Sequence, residues 1–207
     1  VGERFDANDF VEDVLEKGAK AVVCSRRVCD DERLICVEDT GKALLQIANG
    51  YRKTFNIPFI GLTGSVGKTT SKGMIYAVVN KKYNAMRTAG NLNNEIGVPR
   101  TLFTLEEWHE AAVIEMGMSG FGEIELMSNT ARPQIACITN IGSSHLELLG
   151  SRENICRAKL EIISGMSNGT VILKGDETLL ESADVGDNKK LFVGVENEKC
   201  DLRAVNL

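Results

Sequence analysis

A regular alternation of apolar strands, glycine-containing turns and helices, beginning at Pro58, restricts the fold of this chain more than any other feature. Alternating strands and helices form a parallel sheet, because each helix carries the chain back through a right-handed crossover. We therefore predict an α/β fold with a parallel sheet for residues 57–207. The predicted strands are FIGL, YNAMRT, AAVIEM, QIACITN, TVILK and KLFVGV.

Residues 1–56 carry a different pattern, and we predict that they belong to a separate domain. DFVEDVLEKG has the apolar spacing of an amphipathic helix, and KAVVCS and RLICVE are strand-like. A second helix ends before Pro58, because proline disfavours a helical conformation in the preceding residue. The chain starts at Val1 without methionine and ends at Leu207 inside an alternating run. We expect it to be a piece of a longer protein, truncated at both ends.

The charge and cysteine content exclude several classes of function. The net charge is −5, with 24 basic and 29 acidic residues, which argues against a nucleic-acid binder. No apolar run approaches the roughly 18 residues that a membrane span needs, and no signal peptide opens the chain. None of the six cysteines forms a C-x-x-C pair, which favours a reducing, cytoplasmic setting.

The segment FIGLTGSVGKTT, residues 59–70, predicts a phosphate-binding loop. The common pattern G-x-x-x-x-G-K-[ST] requires glycine where this chain has Leu62. Gly64 and Gly67 still allow backbone N–H groups to turn toward phosphate oxygens, and the following helix adds its positive end. Lys68 can reach the β- and γ-phosphates, and Thr69 can bind Mg²⁺. The alternative is a structural strand–helix turn. The candidate nucleotide-binding residues are Thr63, Gly64, Ser65, Val66, Gly67, Lys68, Thr69 and Thr70.

Polar residues also end two other predicted strands. Glu115 ends AAVIE, Asn140 ends QIACITN, and His145 follows in the loop NIGSSH. In open α/β sheets, ligands bind beyond the carboxyl ends of the strands. Because a carboxylate beside a triphosphate suits Mg²⁺, we predict that Glu115 is a metal ligand and that His145 is functional. The alternatives are an exposed strand-end glutamate and a solvated histidine.

Lys159 falls inside the apolar arc of the predicted helix SRENICRAKLEIISGM, between Ile155 and Ile162. A buried ammonium is costly unless it pairs with an anion, loses its proton or is chemically modified. The alternative is that the side chain snorkels to solvent.

Three asparagines, Asn91, Asn93 and Asn94, lie in the segment GNLNNEIGVP before a predicted helix. Asparagine is common in turns, so an ordinary loop is one interpretation. The amides could also orient a polar substrate. Their spacing does not decide between the two.

Together these motifs resemble the Mur ligase family, the ATP-dependent amide-forming enzymes of bacterial peptidoglycan assembly. Residues 63–69 match the family loop T-G-[ST]-x-G-K-[ST]. GNLNNEIGVPRTL, EMGMSGFGEIELMSNTARPQIACITNIGSSHLELLGSRENI and AKLEI are similar to longer stretches of the family. GERFDANDFVEDVLEKGAKAVV resembles its nucleotide-sugar-binding N-terminal domain, although Asn8 stands where histidine is usual. The resemblance implies that residues 1–56 belong to the domain for the UDP-sugar-peptide and that residues 57–207 form an incomplete ATP-binding central domain.

The resemblance also implies roles for single residues. Lys68 would hold the ATP phosphates, with Thr69 and Glu115 on a first Mg²⁺, and His145 would help hold a second. Lys159 would be the family's carbamylated lysine, in which CO₂ turns the amine into an anionic carbamate beside the metal. The implied catalytic residues are Lys68, His145 and Lys159; the implied metal ligands are Thr69, Glu115, His145 and Lys159; Asn91 and Asn94 would lie near the peptide substrate.

The implied reaction adds D-alanyl-D-alanine to a UDP-MurNAc-tripeptide through an acyl phosphate, in a cytoplasmic monomer. Because the family's adenine contacts and C-terminal domain fall beyond Leu207, we expect the chain alone to be inactive. Alternatives are a diaminopimelate- or lysine-adding ligase, a folylpolyglutamate synthase-like ligase and a non-catalytic nucleotide-sugar-binding module. A GTPase is disfavoured because the chain has no N-K-x-D motif.

Overall fold

The computed structural model describes residues 6–206, which divide into two compact units between Ile47 and Ala48. The boundary predicted from the sequence lies further along, between residues 56 and 57. Helix α2, Thr40–Lys53, runs through the division. Its second half belongs to the second unit, because Ala48 is fully buried in that core and Arg52 Nε donates to the Ala131 carbonyl at 2.7 Å. The functional assignment of the two domains stays a prediction.

The first unit is small, with a core that contains Val11, Leu15 and Cys24. Asn8 is buried beside it, where Oδ1 accepts from the Ser25 N–H at 3.0 Å and Nδ2 donates to the Ser25 hydroxyl at 2.8 Å. These bonds tie the first helical turn to the end of a strand. The elements are a 3₁₀ turn at Ala7–Phe10, α1 at Val11–Glu16, and the parallel strands β1 at Val22–Cys24 and β2 at Leu34–Cys36.

The second unit contains a parallel sheet, which confirms the fold class predicted from the sequence. Its strands are β3 Phe59–Thr63, β4 Ala85–Arg87, β5 Ala111–Glu115, β6 Ile135–Ile138, β7 Thr170–Lys174, β8 Lys189–Gly194 and β9 Leu202–Arg203. Their order across the sheet is β4-β5-β3-β6-β7-β8-β9, and every pairing is parallel. Strand β5, which lies between β4 and β3, is buried at every residue, as expected for a strand that is covered on both faces.

Helices connect these strands. They are α3 Lys68–Val79, α4 Gly97–Leu102, α5 Glu123–Ala131, α6 Leu146–Leu149, α7 Arg152–Leu160 and α8 Thr178–Glu181. The long helix expected from SRENICRAKLEIISGM is shorter than predicted, and it continues as a 3₁₀ turn at Glu161–Ile163. There the Ile162 carbonyl accepts from the Ser128 hydroxyl. Across residues 6–206, no helix combines the length and apolar character of a bilayer span.

The register of the central strands aligns three loops at one edge. Leu62 of β3 pairs with Glu115 of β5, and Thr63 pairs with Ile138 of β6. The strands therefore end together, because parallel neighbours run in the same direction. The segments after β3, β5 and β6 meet at this edge, as the sequence predicts.

Candidate nucleotide and metal site

The loop between β3 and α3 needs both glycines of the shortened motif, each for a different reason. Gly67 is the N-cap of α3 with φ +76°, a left-handed conformation that favours glycine. Gly64 lies against the segment after β6, where an added Cβ would stand 1.9 Å from Thr139 Oγ1. Gly67 is therefore needed for its backbone conformation, and Gly64 is needed because no side chain fits beside Thr139.

Asn140 organises this loop, a role that the sequence did not reveal. Its Oδ1 accepts from the N–H groups of Ser65 and Val66, both at 3.1 Å, and its Nδ2 donates to the Val66 carbonyl at 3.0 Å. The Thr139 hydroxyl donates to the same carbonyl at 3.2 Å. The first turn of α3 then presents backbone N–H groups that have no acceptor within the helix, which suits it to an anion.

Two lysines from different helices face the same region. Lys68 Nζ donates to the Gly64 carbonyl at 2.9 Å, at the mouth of the loop. Lys159 is 1% exposed, between the fully buried Ile155 and Ile162, so the snorkelling alternative is wrong. Burial lowers the pKa of Lys159 to about 8, and the charge of Lys68 adds to the decrease. Lys159 therefore loses its proton at a lower pH than an exposed lysine, near pH 8.

Glu115 is buried at the end of β5, so the alternative of an exposed strand-end glutamate does not hold. Its Oε1 accepts from Asn93 Nδ2 at 2.8 Å and lies 3.5 Å from Thr69 Oγ1. Its Oε2 lies 2.9 Å from Lys72 Nζ, an ion pair by distance. That contact lacks the angles of a directed hydrogen bond, so Oε2 has no hydrogen-bond partner among residues 6–206. The backbone N–H of Glu115 donates to Thr88 Oγ1 at 3.0 Å.

The oxygens at this edge fit a magnesium ion. Magnesium prefers one or two carboxylates together with hydroxyl, water and phosphate oxygens. Glu115 and Thr69 supply a carboxylate and a hydroxyl within 3.5 Å of each other, at the head of the phosphate loop. Thr63 adds a buried hydroxyl at the end of β3 that has no hydrogen-bond partner within the described residues.

His145 lies in the loop after β6 and is the N-cap of α6, with φ +66°. The loop is held to the phosphate loop, since Gly142 N–H donates to Ser65 Oγ at 2.8 Å and Ser144 Oγ to the Ser65 carbonyl at 3.4 Å. The imidazole is exposed. Within residues 6–206, no three His, Cys, Asp or Glu side chains converge as a metal cluster. The role of His145 stays a prediction.

Among the three asparagines, the structure brings Asn93 to the site rather than Asn91 or Asn94. Asn94 Oδ1 accepts from the Gly97 N–H at 2.8 Å and thereby fixes the start of α4, and Asn91 is exposed. Sequence spacing could not distinguish these amides. The structure distinguishes them through the packing of Asn93 against Gly117, where an added Cβ would lie 3.1 Å from Asn93 Cγ.

Lys72 is a second residue that sequence reasoning missed. It lies one helical turn after Lys68, on the face of α3 that packs against the sheet, and it is buried. The apolar Met74 and Val78 are instead 66% and 73% exposed. The four-residue spacing from Lys68 was the available signal, because residues i and i+4 share a helix face.

A parallel sheet with a Gly-Lys-Thr loop between its central strand and a helix defines a P-loop α/β domain. Residues 62–207 match the family model described as the Mur ligase middle domain, and the chain therefore belongs to the Mur ligase family. The resemblance predicted from the sequence is confirmed.

Relatives and solved structures agree with this membership. The chain is 47% identical over 201 residues to the UDP-N-acetylmuramoyl-tripeptide–D-alanyl-D-alanine ligase of Bacillus subtilis, covering 95% of this chain and 44% of that protein. MurF from Acinetobacter baumannii superposes with a TM-score of 0.89 at 35% identity, covering 100% of this chain and 46% of its own. The Thermotoga maritima MurF ligase in complex with ADP superposes with a TM-score of 0.89 at 33% identity, covering 95% of this chain and 46% of that chain. The chain spans less than half the length of these relatives.

Proposed function

We propose that this chain is the nucleotide-binding part of a ligase that adds D-alanyl-D-alanine to a UDP-MurNAc-tripeptide in peptidoglycan precursor synthesis. The observation that carries the proposal is the buried Glu115 carboxylate, 3.5 Å from the Thr69 hydroxyl of the phosphate loop. The 47% identity to the Bacillus subtilis ligase supports D-alanyl-D-alanine as the acceptor. The activity belongs to the natural full-length protein, since the relatives are more than twice as long as their matched part.

Each group at the edge of the sheet has a task in this reaction. ATP with Mg²⁺ would supply a transferable phosphoryl group and neutralise its developing charge. The first turn of α3 and Lys68 would bind phosphate oxygens, while Thr69 and Glu115 would hold the metal. The terminal carboxylate of the UDP-MurNAc-tripeptide attacks the γ-phosphorus, which gives an acyl phosphate and ADP. The dipeptide amine then attacks the acyl carbon, forming the amide and releasing phosphate and a proton.

Lys159 is proposed to carry a carbamate. The ammonium would first lose a proton, and the neutral amine would then attack CO₂, form an N–C bond and release a second proton. Together these steps turn a cation into an anion. The lowered pKa, about 8, supports this step, because a substantial fraction of the amine is neutral near that pH. The change would also remove the repulsion between Lys159 and Lys68. His145 is proposed as a ligand of a second Mg²⁺, together with this carbamate.

The proposed setting is a cytoplasmic monomer. Throughout residues 6–206, the six cysteines are free, as in a reducing compartment.

Release of ADP by the natural full-length protein tests the proposal. Mg-ATP and UDP-MurNAc-tripeptide would be supplied with D-alanyl-D-alanine, diaminopimelate, lysine or glutamate, beside a Lys68→Ala control. We expect release that depends on D-alanyl-D-alanine and is lost in the control. Preference for another acceptor would point to a different ligase of this family. Binding of the UDP-peptide without ADP release, unchanged in Lys68→Ala, would indicate a nucleotide-sugar-binding module.

A further inference from the structure

We propose that Lys72 is a positioning residue that shares the Glu115 carboxylate with the metal ion, holding one oxygen while the other faces the metal. The inference rests on the proposed function for the presence of Mg²⁺. It adds a residue from the second turn of α3 to the machinery of the phosphate loop.

Among residues 6–206, one ion pair has both side chains buried. The side chains of Lys72 and Glu115 are 4% and 1% exposed, and Nζ lies 2.9 Å from Oε2. Lys72 Nζ also donates to the Gly90 carbonyl at 2.7 Å, which fixes the ammonium from a second direction. Within the described part of the chain, Lys72 supplies the ion-pair contact of Glu115, while Lys68 is bound to the Gly64 carbonyl.

The two carboxylate oxygens have different surroundings. Oε1 faces Asn93 and the Thr69 hydroxyl of the phosphate loop, whereas Oε2 faces Lys72. Lys72 therefore fixes the rotation of the carboxylate with Oε1 directed to the loop. It also supplies the counter-charge that a buried carboxylate requires when no metal is bound.

Sharing one carboxylate makes the two cations antagonistic. Mg²⁺ on Oε1 is repelled by the ammonium on Oε2, so it gains less from Glu115 than it would from an unpaired carboxylate. Retention of the metal then depends on the nucleotide phosphates, which magnesium commonly takes as ligands. Metal would arrive and leave with the nucleotide.

Thermal unfolding and calorimetry of the natural full-length protein test this arrangement. Lys72→Met, Glu115→Gln and the double variant would be compared with wild type, with Lys81→Met as a control at an exposed lysine just beyond the same helix. Without ligand, we expect each single variant to lower Tm by roughly 5–10 °C and the double variant to lose less than the sum. Lys81→Met should leave Tm unchanged.

The response to metal separates the charge competition between Lys72 and Mg²⁺ from a packing role of Lys72. In ADP-saturated protein, we expect Mg²⁺ to bind Lys72→Met roughly fivefold or more tightly than wild type and to raise its Tm further. Support would also come from a Lys72→Met variant that unfolds but is rescued by adding Glu115→Gln.

Three results would overturn the proposal. These are additive losses of Tm with unchanged Mg²⁺ affinity, unfolding of both the single and the double Lys72 variants, and absence of any Mg²⁺ response in wild type and Lys72→Met. The last result would refute the metal site itself. A normal metal response without dipeptide-dependent ADP release would refute the proposed activity alone and leave the role of Lys72 standing.

Discussion

Replacing Gly64 with alanine forces the phosphate loop against the segment after β6. The added Cβ would lie 1.9 Å from Thr139 Oγ1 and 3.1 Å from Thr139 Cβ, so one of the two segments must move. Rotation of Thr139 would relieve the closest contact but break its bond to the Val66 carbonyl. Overpacking of about 1–3 kcal/mol and a lost hydrogen bond of about 1 kcal/mol give a total of roughly 2–4 kcal/mol.

Gly67→Ala is the matched control, because an added Cβ there meets nothing within 4 Å. Its cost is the left-handed backbone alone, about 1–2 kcal/mol. Chemical denaturation measures the free energy of unfolding, and calorimetry measures ADP affinity. We expect Gly64→Ala to lose more stability and more ADP affinity than Gly67→Ala. Adding Thr139→Ala to Gly64→Ala should restore part of the loss. Equal losses in the two alanine variants, or no recovery in Gly64→Ala/Thr139→Ala, would refute the reasoning.

Two further predictions concern Lys159 and the asparagines. In CO₂-free buffer, the unfolded state binds more protons at Lys159 than the folded state does between pH 8 and 10.5. The free energy of unfolding of the wild type should therefore rise across this pH range relative to that of Lys159→Met. The total rise should be about 3 kcal/mol. Denaturation at several pH values checks this, and a flat difference between the two proteins would contradict it. Asn94→Ala should lower stability by about 1 kcal/mol through its lost bond to Gly97 while leaving Mg²⁺-dependent ADP affinity intact. Asn93→Ala should weaken that affinity by freeing Glu115, and calorimetry showing the reverse ranking would reject these assignments.

The parallel sheet and the phosphate loop could be predicted because their signals are local. Strand–turn–helix alternation dictates a parallel sheet whatever the tertiary contacts. Gly64, Gly67 and Lys68 are close in sequence, and the loop depends on backbone conformation that glycine permits. The meeting of loops at one edge followed from strand direction alone.

The remaining parts of the site depend on long-range register, and the local sequence patterns did not identify them. Asn93 and Asn94 are adjacent, and only the packing of their loop against Gly117 decides which amide faces Glu115. Lys72 lies in a helix whose apolar residues include exposed ones, so the apolar pattern does not mark its buried face. Asn140 acts through hydrogen bonds to Ser65 and Val66, which lie 75 and 74 positions earlier in the sequence.

The most direct test of the central claim follows an oxygen atom through the reaction. The natural full-length protein would receive Mg-ATP, D-alanyl-D-alanine and UDP-MurNAc-tripeptide that carries ¹⁸O in its terminal carboxylate. An acyl phosphate predicts one ¹⁸O atom in the released phosphate for each amide formed, because the attacking carboxylate oxygen leaves with the phosphorus. Amide product accompanied by unlabelled phosphate would contradict activation of the carboxylate at this site.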